Sequence, residues 1–358
     1  MRQAATSVIR WSATPFSWPI PSLNRRLKYY GANLAIYCLA IGFYAATPYY
    51  QHALNSQTIH WLIILAAGYT LLAPAFYLTI SEAKLAPSRG FAVLAALRRL
   101  GLAYFNYFSR RSAARPKWTE AERVSILFFG VKFFFLPMML GFLIGNLANL
   151  HGHLSSLPPL GSLLSRDGFN GVLYPLLLSL FLLIDVAIFS FGYLFESRLL
   201  GNRVRSVEPT FLGWAVCLAC YDPFNGYLNR LVPWHSDDFA SFHSSGLTFG
   251  MHLASLIFMG IYVSASVALG TKASNLTNRG IVSSGPYRFV RHPAYTFKNL
   301  AWWLGILPVF SVAAVLSMMA WSSVYFLRSI TEERHLRRDP DYRAYCQKVK
   351  HRFIPGVI

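Results

Sequence analysis

Apolar runs of roughly twenty residues recur along this chain, and short basic stretches separate them. A helix that crosses the ~30 Å hydrocarbon core of a bilayer needs about 20 mostly apolar residues. Leu27–Thr47, Ile59–Ile80, Val124–Asn149, Asn170–Phe195 and Gly246–Gly270 meet that length. Thr210–Pro233 is a further apolar run, but Asp222-Pro223 and Asn225-Gly226 interrupt it. Proline lacks the backbone N–H and should break or kink a helix there. The last run, Ala294–Arg328, contains Pro308 and is too long for one upright span. Phe91–Phe108 is apolar but carries Arg98-Arg99 in its middle, which suits a helix lying on the membrane interface. The pattern predicts an all-α, polytopic integral membrane bundle of about six full spans plus a C-terminal helical hairpin.

Composition agrees with the pattern. The chain is 358 residues long, 54% hydrophobic and only 13% charged, against about 25% charged in a typical soluble protein. A net charge of +19 raises the question of nucleic acid. The lysines and arginines sit between apolar runs, however, as in cytosolic loops that face anionic lipid, so the lipid bilayer is the expected partner and nucleic acid is not.

The same charges orient the chain. With the N-terminus in the cytosol and one crossing per run, every Lys and Arg falls on the cytosolic side except Lys132, Arg166 and Arg230. This distribution requires Thr210–Pro233 to cross. It also requires Ala294–Arg328 to enter and return, turning near Pro308 with a short first arm. Both termini are then cytosolic. Residues 1–26 hold Arg2, Arg10, Trp11, Trp18 and several turn formers but no continuous apolar core. They read as a cytosolic tail whose tryptophans touch the interface rather than as a cleaved signal.

Ionisable residues inside spans are functional candidates by default. Lys132 and Asp185 both count out to roughly 12–15 Å from the cytosolic ends of their runs. Equal depth predicts an ion pair, serving either helix register or transport. Cys217 and Cys220 form a CxxC within an apolar run, where two small packing residues are a better reading than a metal or redox site. His151 and His153 read as part of a solvated outer loop, as do His235, Asp237, Asp238 and His243. No metal centre is expected.

One short segment concentrates polar chemistry. Ser284-Gly285-Pro286-Tyr287-Arg288-Phe289-Val290-Arg291-His292-Pro293-Ala294-Tyr295 combines a Gly-Pro turn, two arginines, a histidine and two tyrosines at a membrane boundary. Asn275 to Val282 precedes it. At the hairpin's exit lie Arg328 and Glu332-Glu333-Arg334-His335-Leu336, then Tyr342, Tyr345 and Val349. The hairpin brings both clusters to one face, where they could wall a single site. Arg328 and Glu332 share a helix face; taken alone, they read as a surface ion pair.

The order GPYxxxRHPxY, hairpin, R-x3-EExxL and YxxYxxxV resembles the isoprenylcysteine carboxyl methyltransferases and the related phospholipid methyltransferases. The likeness covers Asn275 to Gly356, a little under a quarter of the chain. It implies an integral membrane methyltransferase that uses S-adenosyl-L-methionine, with a hydrophobic or lipid-linked acceptor arriving from the membrane. By motif position, the cofactor would contact Arg279, Gly280, Ile281, Val282, Tyr287, His292, Pro293, Ala294, Tyr295 and Glu332. Arg328 matches the arginine at the reacting end of the acceptor. The implied division is a membrane region of unassigned role at 1–209 and a methyltransferase-like core at 210–358, with its cofactor site facing the cytosol.

The residue types suit that chemistry. A carboxylate such as Glu332 complements a sulfonium, an amino group and ribose hydroxyls, and Tyr295 or His292 can donate to a carboxylate. Methyl transfer is an in-line displacement, so positioning supplies much of the rate. An anionic oxygen acceptor needs no general base, and Arg328 can hold it through paired hydrogen bonds. Two departures stand out. Phe297 occupies a place that is often glycine in the family, and Lys298-Asn299 follows it. Arg338-Asp339 replaces a common Phe-Gly, a change expected to matter only to a turn. Two other readings stay open: an NADPH-dependent membrane reductase like the sterol reductases, and a transporter or structural membrane protein built around Lys132 and Asp185.

Overall fold

The computed structural model describes residues 22–81 and 85–356. The tail through residue 21, with Trp11 and Trp18, lies outside the described residues. Helix α1 (Ser22–Ala46) turns through Pro48–Ala53 into α2 (Ser56–Thr79) and packs against it. Arg26 reaches the open carbonyls at the end of α2, donating to Tyr77 O at 2.5 Å and Ile80 O at 2.7 Å. A cation at a helix C-terminus satisfies orphan carbonyls and complements the helix dipole. Helix α3 (Arg89–Phe108) buries Gly90, Val93, Ala96 and Leu100. That three-to-four spacing is one stripe, laid against α1 and α4 (Glu120–Ser155).

Helix α4 begins with a capping box in which Thr119 and Glu122 exchange hydrogen bonds, and Arg99 of α3 also binds Glu122. His151 and His153 lie on the helix itself, not on the outer loop expected of them. The apolar-polar boundary near Asn149 does not stop the helix, which runs to Ser155. Helix α5 (Tyr174–Leu194) packs against α4. Phe135 and Tyr193 stack there at 5.7 Å and 8°.

The expected Lys132–Asp185 pair does not form. Lys132 Nζ donates to Leu194 O at 3.3 Å, and Asp185 accepts from Tyr262 and Ser266, each at 2.5 Å. Lys132 is therefore level with the last turn of α5. Asp185 lies nine residues back along that helix, about 13 Å away at 1.5 Å per residue. Counting each run from its own end assumed a common baseline that the antiparallel packing does not supply.

Strand β1 (Ser206–Val207) pairs antiparallel with β2 (Thr277–Asn278), Ser206 opposite Asn278. Between them, the interrupted run forms two short helices, α6 (Phe211–Leu218) and α7 (Phe224–Leu231), rather than one span. It still carries the chain from the end of α5 to the start of α8 (Ser245–Leu269). Ser245 of α8 meets Asp167 and Asn170 at the opposite end. Helix α9 (Pro293–Gly305) descends along α8, Leu307–Val309 turns, and α10 (Val312–Leu336) returns. Helix α11 (Pro340–Lys348) then lies across the end.

Five helical segments among the described residues are long and apolar enough to cross a membrane: Ser56–Thr79, Glu120–Ser155, Arg166–Leu194, Ser245–Lys272 and Val312–Leu336. The chain is a polytopic helical membrane protein. Four of the five match expected full spans and the fifth is the return arm of the hairpin; α6–α7 is broken, and α1, whose run is diluted by Asn33 and several tyrosines, falls short. Leu71 and Leu72 on α2 are at least three-quarters exposed, as a lipid-facing surface requires.

Candidate active site

The two polar clusters meet. The start of α9 pairs with the C-terminal tail through backbone bonds, Arg291 N–H to His351 O at 3.0 Å and His292 N–H to Arg352 O at 2.9 Å. Glu333, 1% exposed, gathers the side chains around this junction. It accepts from Arg291 Nε at 2.8 Å, from Arg352 at 3.1 and 3.0 Å and from Arg337 at 3.3 Å. His292 Nε2 lies 3.2 Å from the same carboxylate. A buried carboxylate is tolerated when its lone pairs are filled this way. The motif position points to Glu332 of the Glu-Glu pair and is silent on this role of Glu333. The signal was available in a pair of acids surrounded by basic residues.

Glu332 projects differently. Adjacent helical positions are about 100° apart, so when Glu333 faces the tail, Glu332 faces a cavity of about 370 Å³. One Glu332 oxygen accepts from Tyr295 OH at 2.7 Å. The other has no hydrogen-bond partner among the described residues. His292 stacks on Tyr295 at 5.3 Å and 9°. Arg328 is buried, with its guanidinium 5.2 Å from the Tyr295 ring centre. It donates to Asn275 Oδ1 at 2.5 Å and makes no ion pair with Glu332.

The β1–β2 bridge fixes the third wall. It holds the loop after Asn275 against the segment that ends at Glu208, whose N–H donates to Leu276 O at 2.8 Å. Gly192 lets α5 approach this loop closely; a Cβ there would come within 2.1 Å of Ala273 O. Gly280 has φ +98°, a conformation that favours glycine. Its Asn278 neighbour accepts the Gly280 N–H at 2.8 Å and donates to Asp339 at 2.8 Å. Asp339 is thus more than a turn residue. Burial alone would raise its pKa, but Asn278, the Asp341 N–H and Arg205 together hold it below the usual carboxylate range. Arg279 is buried with its face on Phe128, and burial lowers its pKa. Its Nε and Nη2 have no hydrogen-bond partner among the described residues.

Arg328, Arg279, Gly280, Ile281, Val282, Tyr287, His292, Ala294, Tyr295 and Glu332 all line the cavity. Pro293 does not; it starts α9 and sets its direction. Glu208, outside the motifs, is also a lining residue. It is 2% exposed, and its Oε2 has no hydrogen-bond partner among the described residues. Nothing in an isolated Glu-Pro dipeptide marks it. The lining also includes Met139 and Phe142 of α4 and Leu182 and Val186 of α5. The side chains that α4 and α5 supply to it are mostly apolar.

This lining fits S-adenosylmethionine. Gly280 leaves room beside Arg205 and Lys272, where an added Cβ would lie 3.2 and 3.4 Å from their nitrogens. Lys272, which lines the cavity, suits a carboxylate. The open oxygen of Glu332 suits an ammonium or hydroxyls. The volume lies within the usual range for a small-molecule site, roughly 300–1,000 Å³.

Residues 247–339 match the family model for phospholipid methyltransferase. No curated protein and no solved structure matches the chain. The matched segment holds α8, the hairpin and both polar clusters, but not the tail that closes them or the walls from α4 and α5. The C-terminal part of this chain is a phospholipid methyltransferase-family domain, and the protein is an S-adenosylmethionine-dependent membrane methyltransferase.

Proposed function

We propose that the cavity's two halves hold the two reactants, with S-adenosylmethionine at the motif end and a lipid-like acceptor in the apolar half. The observation that carries this reading is the position of Arg328. Its guanidinium touches Tyr295, which bonds Glu332, and also Tyr221, which packs on Phe135 of α4. In this reading the cofactor supplies an activated methyl group on a sulfonium. Glu332 binds its polar groups, and Tyr295 fixes Glu332. Arg279 and its neighbours through Val282 form the opposite wall.

Arg328 orients the acceptor. Asn275 holds one arm of its guanidinium, and Tyr295, Tyr221 and Tyr325 surround it at 5.2 to 6.0 Å. No carboxylate lies within ion-pair reach of it among the described residues. A buried, uncompensated guanidinium favours an acceptor with an anionic oxygen, as in the carboxyl methyltransferases that the motif resembles. Such an acceptor needs no general base. The N-terminal region, 1–209, contributes the apolar wall through α4 and α5. The distribution of the basic loops supports a cytosolic position for the motif end.

Two variants test the division of labour. Glu332→Ala should weaken S-adenosylhomocysteine binding about tenfold, the worth of one charge-assisted contact. Arg328→Ala should lose turnover and keep that affinity within about twofold. Full activity of the Arg328 variant on a lipid extract would remove it from the mechanism.

A further inference from the structure

The apolar half of the cavity is not wholly apolar. Asp185 of α5 and Lys298 of α9 both line it, on either side of Tyr262. Tyr262 OH donates to Asp185 Oδ2, and Lys298 Nζ lies 4.9 Å from the Tyr262 ring centre and 5.3 Å from Trp302. Trp302 meets Tyr325 at 5.2 Å, and Tyr325 borders Arg328. The polar groups thus follow one continuous aromatic wall. Lys298 lies three residues beyond Tyr295 on α9, at the place where the sequence departs from the family pattern.

Asp185 is held in a fixed orientation. Ser266 Oγ and Tyr262 OH each fill one lone-pair site, at 2.5 Å. A carboxylate has about four such sites, so acceptor capacity remains. No lysine or arginine reaches it within ion-pair distance among the described residues. Lys298 is likewise unpaired; Asp238 feels its charge, which offsets part of the burial that raises the Asp238 pKa. Charged groups at this depth are costly and seldom idle. Neither Asp185 nor its helix belongs to the segment matched by the family model.

We infer that Asp185 is a specificity-determining residue. It selects acceptors that carry an N–H donor, a protonated amine or an amide, next to the anionic group held by Arg328. This rests on the acceptor reading given under Proposed function. Tyr262 and Ser266 aim the carboxylate, and Lys298 packs on the Tyr262 ring.

A matched pair of probes tests it: 2-aminotetradecanoic acid and tetradecanoic acid, which differ only in the amine. Affinities are measured on the full-length protein in neutral detergent, saturated with S-adenosylhomocysteine. Wild type should prefer the amino acid about tenfold, the worth of one charge-assisted hydrogen bond. Asp185→Asn is isosteric and should erase the preference while leaving tetradecanoic acid affinity unchanged. Tyr262→Phe should reduce the preference and serves as the milder variant. No preference in wild type, a preference kept in Asp185→Asn, or equal loss for both probes would overturn the assignment. Failure of wild type to bind S-adenosylhomocysteine would instead overturn the underlying reading, and this inference with it.

Discussion

Arg352 holds Glu333 with both arms of its guanidinium, Nε to Oε1 at 3.1 Å and Nη2 to Oε2 at 3.0 Å. Arg291 takes the same carboxylate from the start of α9. The end of the chain is therefore fastened to both arms of the hairpin through one buried acid. His292 and Tyr295 take their places in the cavity wall because this junction fixes the first turn of α9.

Loss of that acid should cost stability before chemistry. Glu333→Gln keeps the shape but leaves Arg291 and Arg352 buried beside a neutral amide, a defect worth about 3 kcal/mol. The expected result is a shorter half-life at elevated temperature in detergent, with S-adenosylhomocysteine affinity falling in parallel. Glu332→Ala should lose affinity with little change in half-life. Thermal inactivation of the two variants side by side distinguishes the roles of these adjacent residues.

Lys132 and Asp185 should behave as strangers. Lys132 bonds the end of α5, and Asp185 bonds α8. A double-mutant cycle with Lys132→Met and Asp185→Asn should give a coupling energy below about 0.5 kcal/mol, as for residues that share no partner. A coupling of several times that size would restore the pair.

Asp339 sets an acid limit on the closure of the site. Its pKa is held below the unfolded value, near 3.9 for an aspartate. The stability it contributes is fully present above that value and is lost as pH falls through the lower folded pKa. Asp339→Asn should therefore lower stability at neutral pH and flatten its acid-side decline below about pH 4. Thermal scans of both proteins between pH 3 and 7 measure the difference.

Much of this architecture is legible in the sequence because membrane spanning is a demand on single segments. Twenty apolar residues announce a helix whatever its neighbours do, and Pro308 marks the hairpin turn. Contacts between segments are less legible. The depth of Lys132 relative to Asp185 depends on helix register, which hydropathy does not encode. Whether Glu332 or Glu333 faces the cavity depends on the rotation of α10. The β1–β2 bridge that brings Glu208 to the site is two residues on each side, too short for any periodicity to show. The motifs name the two walls, and only the fold shows that α4 and α5 also line the cavity.

The most direct test of the central claim is calorimetric titration of the purified protein, in neutral detergent, with S-adenosylhomocysteine and separately with NADPH. The account predicts saturable binding of S-adenosylhomocysteine that weakens in Glu332→Ala, and no binding of NADPH. Saturable NADPH binding without S-adenosylhomocysteine binding would contradict it.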